Sequence, residues 1–186
     1  MKILVIGGVA AGTKTAAKLK RENRSAEVTL ITKSTDISYA GCGLPYYVGG
    51  LIEEREELVV NTPEKFSALT GVQVLTKREA VALHAEEKTV EAKNLENGET
   101  ETYTYDRLVI TVGASPADLP IEGMDKNGIF KMRTPDDAAG IRSYIEEKHV
   151  KKAVVIGAGF IGLEAAENLK AKGVTVTVID FADQVL

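Results

Sequence analysis

Two glycine-rich turns, each placed between an apolar run and an amphipathic segment, constrain the fold of this chain more than any other feature. The second turn has the full spacing G-x-G-x-x-G, follows the apolar run 153–156 and precedes a predicted helix over 160–172. The first glycine of this pattern allows a tight turn, the middle one lets a pyrophosphate approach the backbone, and the third lets helix and strand pack. Amide groups at the helix N-terminus then bind the phosphates. The residues predicted to bind a dinucleotide here are Gly157, Gly159, Phe160, Ile161 and Gly162.

The first turn lies near the N-terminus and departs from the pattern at one position. It follows the apolar run 2–6 and precedes a predicted helix over 10–23, after which 27–32 reads as a second strand. Val9 stands where the middle glycine is expected. We interpret this segment as a second βαβ unit that binds a dinucleotide. The residues predicted to do so are Gly7, Gly8, Val9, Ala10, Ala11 and Gly12.

The residue that ends the second strand of each unit bears on which nucleotide it binds. Asp180 follows the predicted strand 174–179 and lies 18 residues after Gly162. A carboxylate there accepts hydrogen bonds from a ribose diol and repels a 2′-phosphate. Positions 181–186 contain no Arg or Lys, which favours NADH over NADPH. In the first unit the equivalent position is Thr32, which predicts contact through a hydroxyl or a water.

The remaining segments give the fold class. Short predicted strands fill 72–111, interrupted by a hairpin signal at Asn97-Gly98. The chain is therefore predicted to be an α/β protein with two Rossmann-like βαβ units and a strand-rich insert. We place a first domain at 1–113, a connection with a helix at 114–149, and the start of a second domain at 150–186. The second domain is expected to be truncated, since one βαβ unit cannot bury both faces of its sheet.

Composition excludes several classes of function. The formal net charge of -4 gives no reason to expect binding to nucleic acid or to an anionic membrane. No apolar run approaches the length of a membrane span, and no metal site is predicted. A single cysteine cannot form an internal disulfide and is typical of a reducing compartment. We expect a cytoplasmic protein.

That single cysteine, Cys42, lies between Gly41 and Gly43, and a short helix is predicted to follow. A thiol at a helix N-terminus is stabilised as the nucleophilic thiolate. The motif by itself leaves a buried structural cysteine equally open. Two dinucleotides bound by one fold favour the reactive alternative, because such pairs serve hydride transfer.

Five ordered motifs together resemble a known family. They are Gly7–Gly12, Ser38–Tyr47, Thr62–Phe66, Tyr105–Ala114 and Gly157–Glu167. The chain resembles the flavin-dependent pyridine nucleotide–disulfide oxidoreductases, in the single-cysteine subgroup of coenzyme A-disulfide reductases and NADH oxidase-like enzymes. Members are well over twice as long and form homodimers. The resemblance therefore implies an N-terminal fragment that lacks the rest of both nucleotide domains and the dimerisation domain.

The resemblance also implies where the cofactors bind. FAD is expected at the first turn, with Thr32, Lys33 and Ser34 near its adenosine half and Val81 near the adenine. Thr111 and Gly113 are expected near the flavin phosphates or ribose. NAD(P)H is expected at the second turn. Glu164 matches a glutamate at the junction of flavin and nicotinamide, although an ordinary helix carboxylate such as Glu167 is the alternative.

Two positions select a subgroup within the family. Tyr47 stands where dithiol members carry their second cysteine, and Ala10 where peroxidases and water-forming oxidases carry a histidine. The resemblance then implies a single-thiol reaction with Cys42 and Glu164 as catalytic residues and coenzyme A disulfide as substrate. The residues that match coenzyme A contacts are Lys14, Lys18, Arg21, Ser38, Gly41 and Asn61.

Three alternatives remain open at this stage. The lysines and arginine of the first helix could form an ordinary solvated face. The enzyme could be an NADH oxidase or a persulfide or polysulfide reductase that uses the same cysteine. The chain could also be a nucleotide-binding fragment without catalytic activity.

Overall fold

A computed structural model describes residues 1–185, and contacts within that part divide the chain into two units. The first comprises Met1–Tyr39 and Val59–Ala114. The second comprises Ala40–Leu58 and the chain from Ser115 onward. The predicted boundaries had placed 40–58 in the first domain and 114–149 in a connection, so the contacts group these stretches differently. The assignment of FAD and NAD(P)H domains to the two stretches of chain stays a prediction.

The first unit is built on a parallel sheet whose two central strands are buried on both faces. Elements are numbered in chain order, and α2 belongs to the second unit. Those of the first unit's parallel sheet and its helices are β1 (Lys2–Ile6), α1 (Ala10–Glu22), β2 (Glu27–Ile31), α3 (Pro63–Thr70), β3 (Gln73–Leu75) and β7 (Arg107–Ile110). The strand order is β3-β2-β1-β7, and all pairs are parallel. Strands that are buried on both faces have continuous apolar sequences, so the apolar run 2–6 was enough to predict β1.

The two faces of this sheet have different cover. On one face Val5 and Leu30 pack with Ala16 of α1 and Phe66 of α3. On the other face a three-stranded antiparallel sheet, β4 (Arg78–His84), β5 (Thr89–Asn94) and β6 (Thr100–Thr104), is packed through its central strand. Gly98 adopts φ +80° in the connection between β5 and β6. The hairpin predicted at Asn97-Gly98 is therefore confirmed.

The second unit has a two-stranded parallel sheet with helices on one face. Its elements are α2 (Leu44–Gly49), α4 (Pro135–Glu147), β8 (Lys152–Ile156), α5 (Phe160–Ala171) and β9 (Thr175–Ile179), with 3₁₀ turns at Gly41–Gly43 and Arg55–Leu58. Leu44, Val48, Ala138 and Leu169 form its core. On the opposite face of the sheet Val154 and Ile156 are 60% and 56% exposed. This sheet is therefore covered on one face only within the described residues.

The predicted fold class is confirmed, with the helices and strands close to their predicted bounds. The stated bounds differ by one residue: α1 ends at Glu22 rather than Asn23, and α5 ends at Ala171 rather than Lys172. Thr134 caps α4 by accepting a hydrogen bond from the Asp137 N–H at 3.2 Å. Across the described residues, no helix is both long and apolar enough to cross a membrane.

Candidate functional site

The two glycine turns have the same backbone geometry. Gly7 and Gly157 adopt φ +110° and +104°, in the region that disfavours residues with a Cβ. A Cβ added to Gly12 would lie 1.8 Å from the carbonyl oxygen of Gly7, and one added to Gly162 would lie 1.8 Å from that of Gly157. Both turns therefore need glycine at the first and third positions for the same two reasons.

The helices that follow the two turns begin without side-chain caps. Val9 and Gly159 occupy the N-cap positions of α1 and α5, with no side-chain cap hydrogen bond and no acidic residue in the first turn. The other two long helices differ, since Thr62 and Thr134 cap α3 and α4 and acidic residues follow each of them. An uncapped N-terminus leaves amide donors and a positive dipole end for an anion. Both turns therefore fit the pyrophosphate of a dinucleotide.

The first turn is enclosed by residues of neighbouring strands. Thr111 donates a hydrogen bond from Oγ1 to the Ile6 carbonyl at 2.7 Å, and its own carbonyl oxygen would lie 2.2 Å from a Cβ on Gly7. A Cβ on Gly8 would lie 2.9 Å from Cγ2 of Thr32, which is buried. The structure thus brings Thr32 and Thr111 to the turn, and their contact with FAD stays a prediction.

Other residues predicted to contact FAD lie at varying places in the first unit. Ser34 accepts a hydrogen bond from the Lys77 N–H at 3.2 Å, and Lys33 pairs with Glu79 at 3.7 Å. Val81 is 55% exposed and lies at an irregularity in β4, where the pairing register shifts between Ala80 and Ala82. Gly113 has φ +70° just beyond β7. Their contact with FAD stays a prediction.

The second turn is held by the aspartate that the sequence singled out. The Asp180 carboxylate accepts hydrogen bonds from the N–H groups of Ala158, inside the turn, and of Ala182, the latter at 2.7 Å. These backbone hydrogen bonds lower the pKa of Asp180, that from Ala158 most. A Cβ added to Gly159 would meet no atom within 4 Å. Open space therefore lies over the middle glycine, where a pyrophosphate is predicted.

Cys42 is exposed and lies in the 3₁₀ turn that leads directly into α2. Tyr46, one turn further along α2, donates from its hydroxyl to the Glu164 carboxylate of α5 at 3.5 Å. Glu164, partial burial, Glu167 and the nearby Cys42 all raise the pKa of the Tyr46 phenol, with Glu164 the largest cause. The structure thus brings Glu164 into contact with α2, the helix that directly follows Cys42.

Helix α2 is fixed by contacts on two sides. Gly49 packs on Asn168 of α5 so closely that a Cβ at Gly49 would lie 2.4 Å from the amide oxygen of Asn168. On the other side, Arg142 of α4 donates to the carbonyl oxygens of Tyr47, Ile52 and Glu53, the last at 2.8 Å. Its guanidinium also lies 4.7 Å from the centre of the Tyr47 ring. The segment behind Cys42 is therefore well anchored.

The residues predicted to bind coenzyme A divide between the two units. Lys14, Lys18 and Arg21 are exposed on α1, where Lys18 pairs with Glu22 at 2.6 Å. The Ser38 N–H donates to the Gly8 carbonyl at 2.9 Å, and the Ser38 carbonyl accepts from Val60, next to Asn61. Ser38 and Asn61 therefore lie beside the first turn. Gly41 belongs to the second unit with Cys42.

Three residues of this site were missed from the sequence: Tyr46, Arg142 and Asn168. Arg142 looked like one more charge on an amphipathic helix, and no local pattern pairs it with carbonyl groups 90 residues away. The i, i+4 spacing of Glu164 and Asn168 was a usable signal, since it puts both on one helical face. Within residues 1–185, no cluster of three or more metal-ligating side chains was found.

Fold and turns together define a nucleotide-binding α/β protein with two dinucleotide turns and one exposed thiol. The family model described as "Pyridine nucleotide-disulphide oxidoreductase" matches residues 1–186. The chain belongs to this family, whose membership implies FAD and a nicotinamide nucleotide as cofactors.

Three relatives illustrate the similarity. An NADH oxidase of Methanocaldococcus jannaschii is 38% identical over 186 residues, which are 100% of this chain and 41% of that protein. A coenzyme A disulfide reductase of Staphylococcus haemolyticus is 36% identical over 184 residues, 99% of this chain and 41% of the relative. The solved structure of an NAD-dependent persulfide reductase from A. fulgidus superposes with a TM-score of 0.94 at 41% identity, covering 100% of this chain and 34% of the other. The chain thus spans well under half the length of these relatives.

Proposed function

We propose that this chain is the N-terminal part of an FAD-dependent NAD(P)H:disulfide oxidoreductase that uses Cys42 as its redox-active thiol. One observation carries the proposal. Cys42 is exposed at the start of α2, and α2 packs directly on α5, the helix that begins at the second dinucleotide turn. A nucleophile and a nucleotide-binding helix are thereby held in one rigid cluster.

The two turns have the features that the two cofactors require. FAD would be held at the first turn by the amides at the start of α1, with Thr32 and Thr111 beside them. NAD(P)H would be held at the start of α5, over the open space at Gly159. When bound, FAD supplies the route by which a hydride from the nicotinamide becomes two electrons for a disulfide. The Asp180 carboxylate supports NADH as the preferred nucleotide.

The thiol chemistry follows from having one cysteine. The Cys42 thiolate attacks one sulfur of the incoming disulfide, which breaks the S–S bond, forms a mixed disulfide with Cys42 and expels one thiolate. Two electrons then cleave the mixed disulfide, releasing the second thiolate and restoring that of Cys42. In total, one disulfide, one NADH and one proton yield two thiols and NAD⁺. The sulfenic acid of Cys42 is the alternative oxidised form.

Coenzyme A disulfide is the substrate we favour. Lys14, Lys18 and Arg21 are spaced four and three residues apart on α1 and so lie on one face of the helix. Cations arranged in this way bind phosphate groups such as those of a nucleotide thiol. A relative with 36% identity is named a coenzyme A disulfide reductase, which supports the same substrate class. The full-length enzyme is proposed to be a cytoplasmic homodimer.

The direct test is Cys42→Ser in the full-length protein. The variant should keep the visible flavin spectrum and the reduction of flavin by NADH, but lose NADH-dependent reduction of coenzyme A disulfide. Full retained disulfide reduction would exclude Cys42 as the thiol. If the wild-type protein purifies without flavin bands, a nucleotide-binding protein without catalytic activity becomes the better description.

A persulfide reductase is the second candidate, because the persulfide reductase of known structure is 41% identical to this chain. Persulfides can react with the same thiolate by the same exchange chemistry. Turnover of the full-length enzyme with coenzyme A disulfide, with coenzyme A persulfide and with oxygen would rank the candidates. The highest kcat/KM identifies the acceptor, and oxygen as the best acceptor would instead indicate an NADH oxidase.

A further inference from the structure

We propose that Tyr46 is a positioning residue that holds the Glu164 carboxylate and thereby couples the nucleotide-binding helix α5 to α2, the helix that directly follows Cys42. This inference rests on the proposed function, since it assigns a task within that reaction. Tyr46 matches none of the residues expected to bind cofactor or substrate. Its place in the fold comes entirely from the packing of α2 on α5.

The first step is that the two helices cannot slide past one another. Asn168 is buried at 8% exposure, donates from its amide to the Glu164 carbonyl at 2.8 Å and packs on Gly49. A side chain at Gly49 would overlap the amide of Asn168. The close approach at this point fixes the register between α2 and α5.

The second step is that this register places Tyr46 against Glu164. Tyr46 precedes Gly49 by three residues and Glu164 precedes Asn168 by four, so both pairs lie about one turn apart on facing helices. The Tyr46 hydroxyl donates to the Glu164 carboxylate at 3.5 Å, which is long for this kind of hydrogen bond. Hydrogen bonds of catalytic groups often have such lengths before substrate binds and shorten in the complex.

The third step is that the phenol remains a donor at all working pH values. Three groups with negative charge in their ionised forms face Tyr46: Glu164 and Glu167 on α5, and Cys42 ahead of α2. All three raise the pKa of Tyr46 above its ordinary value. A phenol that stays protonated donates to the Glu164 carboxylate and adds no further negative charge to this cluster.

The fourth step is that α2 is also held from its far side, by α4. Arg142 donates to three carbonyl groups at and beyond the C-terminal end of α2 and stacks on Tyr47. Glu146 in turn accepts from Arg142 at 3.3 Å and from Lys172 at 2.8 Å. Helix α2 is thus fixed on one side by α4 and contacts Glu164 on the other through Tyr46.

The test compares Tyr46→Phe with Tyr47→Phe in the full-length flavoprotein. Both changes remove one hydroxyl from the same helix, but Tyr47 contacts Arg142 through its ring, which phenylalanine keeps. Flavin reduction by NADH should slow about tenfold in Tyr46→Phe, the effect of losing a hydrogen bond to a charged group. The rate should stay within about twofold of wild type in Tyr47→Phe, and both variants should retain flavin and as many titratable thiols as the wild type.

A double-mutant cycle separates positioning from general weakening of the structure. Adding Tyr46→Phe to Glu164→Gln should cause little further loss of rate, because the hydroxyl acts through that carboxylate. Equal effects of Tyr46→Phe and Tyr47→Phe, or full additivity with Glu164→Gln, would overturn the proposal.

A measurement independent of activity tests the contact itself. In full-length protein labelled with ¹³C at the tyrosine ζ carbon, the signal that disappears in Tyr46→Phe is that of Tyr46. The pKa of Tyr46, read from that signal, should fall towards about 10 in Glu164→Gln and change less in Glu167→Gln. An unchanged titration in Glu164→Gln would contradict the contact. If the wild-type flavin is not reduced by NADH, the proposed function fails, and this titration still decides whether Tyr46 holds Glu164.

Discussion

The two glycine turns share a backbone but differ in what surrounds them. Gly7 and Gly157 have almost the same φ, and each turn donates a backbone hydrogen bond to the last residue of the next strand, at 2.9 Å and 2.8 Å. Yet a Cβ on Gly7 would strike the Thr111 backbone, whereas one on Gly157 would meet nothing within 4 Å. The turn conformation is thus fixed locally, while its packing depends on the neighbouring strand.

The helices that follow the turns show how one scaffold serves two purposes. Counted from the third glycine, Lys14 of α1 corresponds to Glu164 of α5, and Lys18 corresponds to Asn168. On α1 these positions are exposed cations. On α5 they hold the carboxylate and the amide that contact α2. Equivalent positions therefore face solvent in one unit and a second helix in the other.

The largest expected effect comes from replacing the first glycine of each turn with alanine. Both changes place a Cβ at a strongly positive φ, which costs about 2 kcal/mol. Gly7→Ala adds a clash with the Thr111 carbonyl, so its total cost should exceed about 4 kcal/mol. Urea unfolding of the two variants, followed by circular dichroism, measures the difference. Equal losses would mean that the first turn can move away from Thr111.

The next effect tests the corresponding helix positions. Asn168→Ala should destabilise by about 1.5 kcal/mol, because it removes a buried amide and leaves a cavity against Gly49. Lys18→Ala breaks only an exposed ion pair with Glu22 and should change stability by less than about 0.5 kcal/mol. Thermal unfolding of both variants is the measurement. If Lys18→Ala lost more stability than Asn168→Ala, the position on α1 would be the packed one and that on α5 the solvent-exposed one.

The third comparison exchanges the middle residues of the two turns, Gly159 and Val9. Gly159→Val should fold normally, given the open space at that residue, but weaken NADH binding about tenfold by obstructing the pyrophosphate. Val9→Gly should keep FAD bound, since it only removes atoms from the first turn. Titration of NADH against the full-length variants checks both. Unchanged NADH affinity in Gly159→Val would place the pyrophosphate elsewhere.

The smallest effect is a difference in acid titration between the turns. Hydrogen bonds from Ala158 and Ala182 lower the pKa of Asp180 in the folded protein, so their contribution is present above the unfolded value, about 3.9. It is lost as the pH falls through the lowered folded pKa. The Ala158 amide signal should therefore shift in ¹⁵N spectra at such pH values. Gly8 should show no matching shift, because Thr32 replaces the aspartate.

Much of the fold could be predicted because its signals are local. Each of these signals depends on a few consecutive residues: the apolar run of β1, the glycine spacings and the Asn97-Gly98 hairpin. The grouping of 40–58 with the chain from Ser115 onward could not be read in this way, since it depends on contacts between residues about 90 to 120 apart in sequence. The predicted coenzyme A residues were likewise separated by this division, with Gly41 in one unit and Ser38 in the other.

The sequence by itself determined the two βαβ units, the positions of their glycines and the lone thiol, because glycine at positive φ and continuous apolar strands leave few alternatives. The tertiary structure alone decided which side chains contact α2, the helix that follows Cys42. Tyr46, Arg142 and Asn168 carry no local pattern, and their roles arise only where α2 packs against α4 and α5. Polar contacts between helices distant in sequence are set by the packing of the core, which no short motif records.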